Sequence, residues 1–234
     1  WCRSCRRRTE GLRSLMRRLL LTLALAASAV AAQGTHPLSG RKIAGVMGFG
    51  GADWLERPER IQEENPDAAI EALDLKPGMN VADVGAGIGY MSFKMARKVG
   101  PSGKVYANDL QPQMLERLKA NAAKEKITNV ETVLGSTTAT NLPRGTMDLV
   151  LMVDVYHELS DPQRMLRDIR ESLKPDGRLV LLEYRKEDPK IPIREEHKMS
   201  VAEVKTELEA EGFKLSKTVE TLPWQHILIL TRNR

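Results

Sequence analysis

From Lys76 onward the chain alternates short apolar runs with amphipathic stretches. Asn80–Val84, Lys104–Asn108, Val130–Leu134, Met147–Val153 and Arg178–Glu183 are rich in Val, Leu and Met, as strands buried on both faces are. Between them, Tyr90–Val99, Pro112–Lys124 and Pro162–Leu173 repeat apolar residues at helical spacing. In the last of these, Met165, Leu166, Ile169 and Leu173 make one face, and Asp161 stands as a cap before Pro162. Ser200-Val201-Ala202-Glu203 has the form of a capping box, and Gly212 is placed to stop that helix. Two further strands, Lys214–Thr221 and Gln225–Thr231, follow so closely that they predict an antiparallel hairpin. Together these elements predict an α/β fold, a doubly wound and mostly parallel seven-stranded sheet with an antiparallel C-terminal hairpin. Asp53–Leu75 reads as helix in two pieces, broken at Asn65-Pro66. Residues 34–52 are glycine-rich and without period, and read as a linker or ordered loop ahead of a domain over 53–234.

Residues 1–33 have a different character. Leu19–Val30 is an uninterrupted uncharged run preceded by Arg17 and Arg18 and followed by small residues, with A-x-A sites at Ala27–Ala29 and Ala29–Ala31. This is the layout of a secretory signal peptide, and it is short for a membrane span, which needs about 20 residues. Met16 reads as a start. The expectation is an exported, periplasmic protein with no stable membrane span after cleavage; the alternatives are a cytoplasmic protein or one anchored by an uncleaved leader. The net charge of +5 also belongs here, because residues 1–18 hold seven arginines and one acid. The remainder is close to neutral, so charge gives no signature of a nucleic-acid partner. Both cysteines, Cys2 and Cys5, lie in the same stretch, and with no second pair their C-x-x-C spacing reads as leader rather than as a redox or zinc motif.

The sharpest chemical signal is Asp83-Val84-Gly85-Ala86-Gly87-Ile88-Gly89, where a buried strand runs through close-set glycines into a helix. Glycines allow a tight turn and the approach of a ligand to the backbone, and the helix start offers free N–H groups. The register is G-x-G-x-G, whereas a dinucleotide fold wants G-x-G-x-x-G and a pyrophosphate on the helix N-terminus. Asp83 would repel a pyrophosphate and suits a cationic ligand. S-adenosylmethionine, with a sulfonium and an ammonium group, is such a ligand. Twenty residues beyond Gly89 the next strand ends in Asp109, followed by Leu110, where an acid accepts hydrogen bonds from ribose hydroxyls.

These motifs resemble those of the class I S-adenosylmethionine-dependent methyltransferases, over roughly residues 53–231. Leu75-Lys76-Pro77-Gly78, Met147-Asp148-Leu149-Val150 and Leu173-Lys174-Pro175-Asp176-Gly177 carry the likeness alongside the glycine loop. A group of bacterial methyltransferases that often bear signal peptides is more similar still, through Trp54-Leu55-Glu56-Arg57-Pro58-Glu59-Arg60, Asp154-Val155-Tyr156-His157-Glu158-Leu159, Glu183-Tyr184-Arg185 and Pro223-Trp224-Gln225-His226. The resemblance implies the Rossmann-like methyltransferase fold and S-adenosylmethionine as cofactor, but not the acceptor. It implies a cofactor site of Asp83, Gly85, Ala86, Gly87, Gly89, Asp109 and Leu110, with Asp154 accepting from the cofactor's ammonium. Many relatives carry an acid after the third strand to meet adenine. This chain has Gly135-Ser136-Thr137 there, which leaves Ser136 or Thr137 for that contact.

The acceptor is expected beyond the carboxyl ends of the fourth and fifth strands, where Tyr156, His157, Glu183 and Arg185 are candidates for one catalytic pocket. His157 suits a general base, with a structural hydrogen-bonding role as the plain alternative; Glu183 and Arg185 could simply pair with each other or with Arg57. Arg57 and Arg60 are placed to roof cofactor or acceptor. Three histidines and two glutamates could gather a metal, but they lack a motif spacing, so no metal is expected. Methyl transfer needs little beyond alignment, because a sulfonium is already a strong electrophile. The expected activity is methyl transfer to a small-molecule acceptor. A non-catalytic protein binding S-adenosylmethionine or another nucleoside is the alternative, and a nicotinamide-dependent oxidoreductase fits the glycine register less well.

Overall fold

The computed structural model describes residues 34–233, and the leader over 1–33 lies outside them. Eight strands form one sheet: β1 (Asn80–Val84), β2 (Lys104–Asp109), β3 (Val130–Leu134), β4 (Met147–Val153), β5 (Leu173–Arg185), β6 (Lys198–Met199), β7 (Phe213–Val219) and β8 (Gln225–Arg232). Their order is β3-β2-β1-β4-β5-β8-β7, with the two-residue β6 beside β5. The pairs from β3 through β5 are parallel, and β8 is antiparallel to both β5 and β7. This is the expected Rossmann-like sheet with its antiparallel end. The short β6 was not anticipated, since two residues carry no period. Its pairing is set by Tyr184 and Arg185 opposite Lys198 and Met199.

Alternation along the central strands divides the core. Val150, Met152, Leu179, Leu181, Leu228 and Leu230 pack in one layer. Their neighbours Leu149, Leu151, Val180, Leu182, Ile227 and Ile229 pack in the other. The helices are α1 (Arg60–Glu64), α2 (Pro66–Ala72), α3 (Tyr90–Val99), α4 (Pro112–Lys124), α5 (Pro162–Ser172) and α6 (Val201–Ala210). Met91, Met95 and Val99 of α3 cover the second layer, and Met165, Leu166 and Ile169 of α5 cover the first. The local signals act as read: Asp161 accepts from the Arg164 N–H, and Ser200 and Glu203 close the capping box. Asn65 takes φ +47° between α1 and α2, which is the break expected there.

Of the two readings of the stretch before α1, linker or ordered loop, the structure has the second: Thr35 onward belongs to the same compact unit as the sheet. Ile43, Ala44 and Ala52 are buried, and 49–56 forms a 3-10 helix. A buried ion cluster fastens this strap. Glu207 of α6 receives the Arg41 guanidinium at 2.8 Å, lies 3.4 Å from His36, and accepts the Tyr156 hydroxyl at 2.8 Å. The sequence gives no period for such an element, because it is held by side-chain charges rather than by a repeating apolar face. Among the described residues no helix is long and apolar enough to cross a membrane.

Candidate functional site

A cavity of about 580 Å³ opens at the carboxyl ends of β1, β2, β4 and β5. Its floor is the glycine turn. Gly85 and Gly87 line it, both with positive φ, +76° and +54°. The Gly87 N–H donates to Asp109 Oδ2 at 2.9 Å, and the Gln111 N–H donates to Oδ1 at 2.8 Å. Asp109 is therefore held with its remaining lone pairs toward the cavity. Burial raises its pKa, against the backbone N–H donors. Ala86 and Gly89 shape the turn from behind. The Ala86 N–H donates to the Asn108 carbonyl, and Gly89, at φ +99°, starts α3.

Asp83 sits beneath this turn and is not on the cavity wall. It is 3% exposed and accepts the Ser92 hydroxyl at 2.6 Å. Burial pushes it up to about 6, with Ser92 and Arg60 opposing. The carboxylate just past β4 is placed differently: Asp154 is on the wall and adopts φ +54°, a left-handed conformation that is uncommon outside glycine. Its Oδ2 accepts from Gln225 Nε2 at 2.8 Å, and its Oδ1 is buried without a partner. Burial, then Glu64 and Glu183, raise its pKa well above the carboxylate range. Beyond β2 and β3, Leu110, Ser136 and Thr137 line the cavity as expected. The Ser136 oxygen, however, accepts the Ala139 N–H at 3.1 Å, so part of its capacity is used within its own turn.

The four acceptor-side candidates do not share one pocket. His157 lines the cavity. Glu183, fully buried behind it, meets His157 Nδ1 at 2.6 Å and accepts the Tyr156 N–H at 3.0 Å on its other oxygen. Burial disfavours the charged imidazole, but the Glu183 carboxylate outweighs it and the His157 pKa is raised. Tyr156 points the opposite way, because consecutive side chains of its 3-10 turn diverge, and its hydroxyl ends on Glu207. Arg185 is turned to the hairpin, where its guanidinium donates to the carbonyls of Leu222 and Gln225, each at 2.8 Å. His226 is also off the wall, buried opposite Glu183 on β8.

Other residues complete the wall. Val46 and Met47 of the strap, Trp54 and Leu55, and Pro192 and Ile193 before β6 supply apolar surface. Gln111 Nε2 donates to the Met47 carbonyl at 2.9 Å and ties the strap down. Arg60 lines the cavity, as placed from sequence, while Arg57 lies over the Trp54 ring at 3.5 Å. The Tyr184 hydroxyl donates to Glu64 at 2.9 Å, joining α1 to β5. Sequence reasoning missed Met47, Gln111 and the 192–194 segment, where only the scattered apolar residues of an irregular stretch gave a signal. It also missed that His157, Glu158 and His197 converge. One ligating atom of each lies within 4.8 Å of the others, although 40 residues separate the two histidines.

A family model described as a methyltransferase domain matches residues 75–228. A protein-L-isoaspartate O-methyltransferase of Methanothrix thermoacetophila is 32% identical over 111 residues, 47% of this chain and 50% of the relative. A demethylmenaquinone methyltransferase of Lactococcus lactis is 34% identical over 116 residues, 50% of this chain and 45% of the relative. The match thus spans about half the length of these curated relatives. A crystal structure of a SAM-dependent methyltransferase from Aquifex aeolicus superposes with a TM-score of 0.74 at 29% identity, covering 79% of this chain and 98% of that one.

Proposed function

The chain belongs to the methyltransferase domain family, with S-adenosylmethionine as its cofactor, and on that premise we propose that it methylates a small, largely apolar organic acceptor. The observation that carries this reading is the pair of carboxylates flanking the glycine turn. Asp109 is fixed by two backbone N–H groups, and Asp154 presents a buried oxygen with no protein partner. A buried acid without a partner is costly, and a cation at that point removes the cost. Asp154 therefore fits the ammonium of the cofactor, and Asp109 fits its ribose hydroxyls. The backbone at Gly85 and Gly87 lets the ligand lie close, and Leu110 with the backbone near Ser136 and Thr137 fits the adenine. When bound, the cofactor supplies an electrophilic methyl group on a sulfonium.

The rest of the cavity selects the acceptor. Val46, Met47, Leu159, Met165, Pro192 and Ile193 favour an apolar body, and a cavity of about 580 Å³ suits a cofactor with a small partner. The groups able to draw a proton from that partner, His157, Glu158 and His197, stand together on one wall. Holding the acceptor's nucleophilic atom in line is the larger part of the work. The test is isothermal titration with S-adenosylmethionine, then release of S-adenosylhomocysteine against fractionated cell extracts, with mass spectrometry of the product. Saturable binding and a methylated small molecule support the reading. Binding with no turnover against any fraction would make the protein a nucleoside-binding one, and no binding would overturn both.

A further inference from the structure

We propose that His157, His197 and Glu158 bind a divalent transition metal, with zinc the ion their donor set suits, in the acceptor wall of the cavity. His157 Nε2 and His197 Nδ1 face each other at 3.1 Å, with the rings nearly perpendicular. Two nitrogen ligands on a tetrahedral ion, at about 2.0–2.1 Å each, sit about 3.4 Å apart. A small separation of the rings therefore opens the place for an ion. A Glu158 carboxylate oxygen is within 4.8 Å of a ring nitrogen of each histidine, and rotation of this side chain closes the set. Two histidines and a carboxylate, with a further position open to a cavity, are the ligand pattern of catalytic zinc.

The outer contacts support the same reading. Metal-binding histidines commonly give their second ring N–H to a carboxylate, which fixes the tautomer and strengthens the ligand. Glu183 does this to His157. Both of its oxygens accept, one from His157 Nδ1 and one from the Tyr156 N–H, so the His157 lone pair is on Nε2, on the cavity side. Without metal, a neutral His197 donates its Nδ1 proton to that lone pair and accepts from Arg194 Nη2 at 3.2 Å on Nε2. A metal displaces the Nδ1 proton. The N–H then moves to Nε2, and the exposed Arg194 side chain swings away.

The assignment deepens the methyl-transfer reading and rests on it for the acceptor's class, a hydroxyl or thiol. Coordination lowers the pKa of such a group, as it does that of bound water. The acceptor's proton leaves to solvent, its oxygen or sulfur bonds to the methyl carbon, and the carbon–sulfur bond of the sulfonium breaks with its electron pair kept on sulfur.

The chain over residues 1–234 carrying Cys2→Ser and Cys5→Ser, which removes the competing thiols, is stripped with chelator and titrated with Co²⁺ and Zn²⁺. Calorimetry should find one equivalent per chain, and Co²⁺ should give the visible absorption of a low-symmetry nitrogen–oxygen site. His197→Ala and Glu158→Gln should each weaken binding by about tenfold or more, with S-adenosylmethionine affinity unchanged. Since His197 is half-exposed, its variant should fold, and circular dichroism checks both. No saturable binding, or binding that neither variant weakens, overturns the metal site. Turnover by the stripped protein would also overturn it while leaving the methyltransferase reading intact, whereas loss of S-adenosylmethionine binding would strike that reading alone.

Discussion

Glu183 Oε2 and His157 Nδ1 are 2.6 Å apart, in a contact from which water is excluded on both sides. One carboxylate thereby decides which nitrogen of the imidazole the cavity meets.

Glu183→Gln tests that control. An amide in this place can donate to Nδ1 and shift the His157 proton to Nε2. ¹⁵N NMR of the ring should report the other tautomer. Methyl transfer should fall by about 10–100-fold, the scale for removing a carboxylate that orients a ligating histidine, with the KM for the cofactor unchanged. A stability loss of about 1–3 kcal/mol should accompany it. An unchanged ring spectrum would remove the argument.

Asp109→Ala should weaken S-adenosylmethionine binding by about 1.5–3 kcal/mol, the scale of charge-assisted hydrogen bonds. The Gly87 N–H also loses its acceptor. Calorimetry on the folded variant measures the change, and wild-type affinity would place the ribose elsewhere.

The pH dependence should carry the mark of Asp83. Burial raises it to about 6, so the folded protein holds this proton more tightly than the unfolded chain, in which a carboxyl titrates near 3.9. Its contribution to stability is complete below about pH 4 and is lost as pH rises through about 6, on the order of 3 kcal/mol. Asp83→Asn should flatten that part of the urea-midpoint profile and stabilise the protein at neutral pH. A wild-type profile identical to that of the Asn variant would contradict this.

Glu207→Ala should cost about 3–5 kcal/mol, since it leaves the buried Arg41 guanidinium without its counter-charge. The strap should then become a site of early cleavage in limited proteolysis, between residues 35 and 52. Equal protease resistance would show that apolar contacts alone hold it.

Regular elements were legible because their signals are local and redundant. β1, β3, β4, α3 and α4 have the bounds that alternation and capping predict. At the site, Gly85, Gly87, Asp109 and Asp154 were legible as wall residues because strand ends fix their direction. Tyr156 and Arg185 were not, since a single step along a turn or a strand end decides whether a side chain meets the cavity or the core. The strap was hidden for another reason. Arg41 and Glu207 are paired across 166 residues, and no window of sequence contains both.

That separation has a consequence for synthesis. The chain emerges with its N-terminal segment first, so Arg41 leaves the ribosome long before the helix that holds its partner. Until Glu207 follows, residues 45–47 cannot be clamped through that ion pair as the cavity's outer wall. A nascent chain arrested before α6 would carry the glycine turn and both aspartates, yet lack an anchored cover, and would gain a closed acceptor chamber only once α6 has emerged.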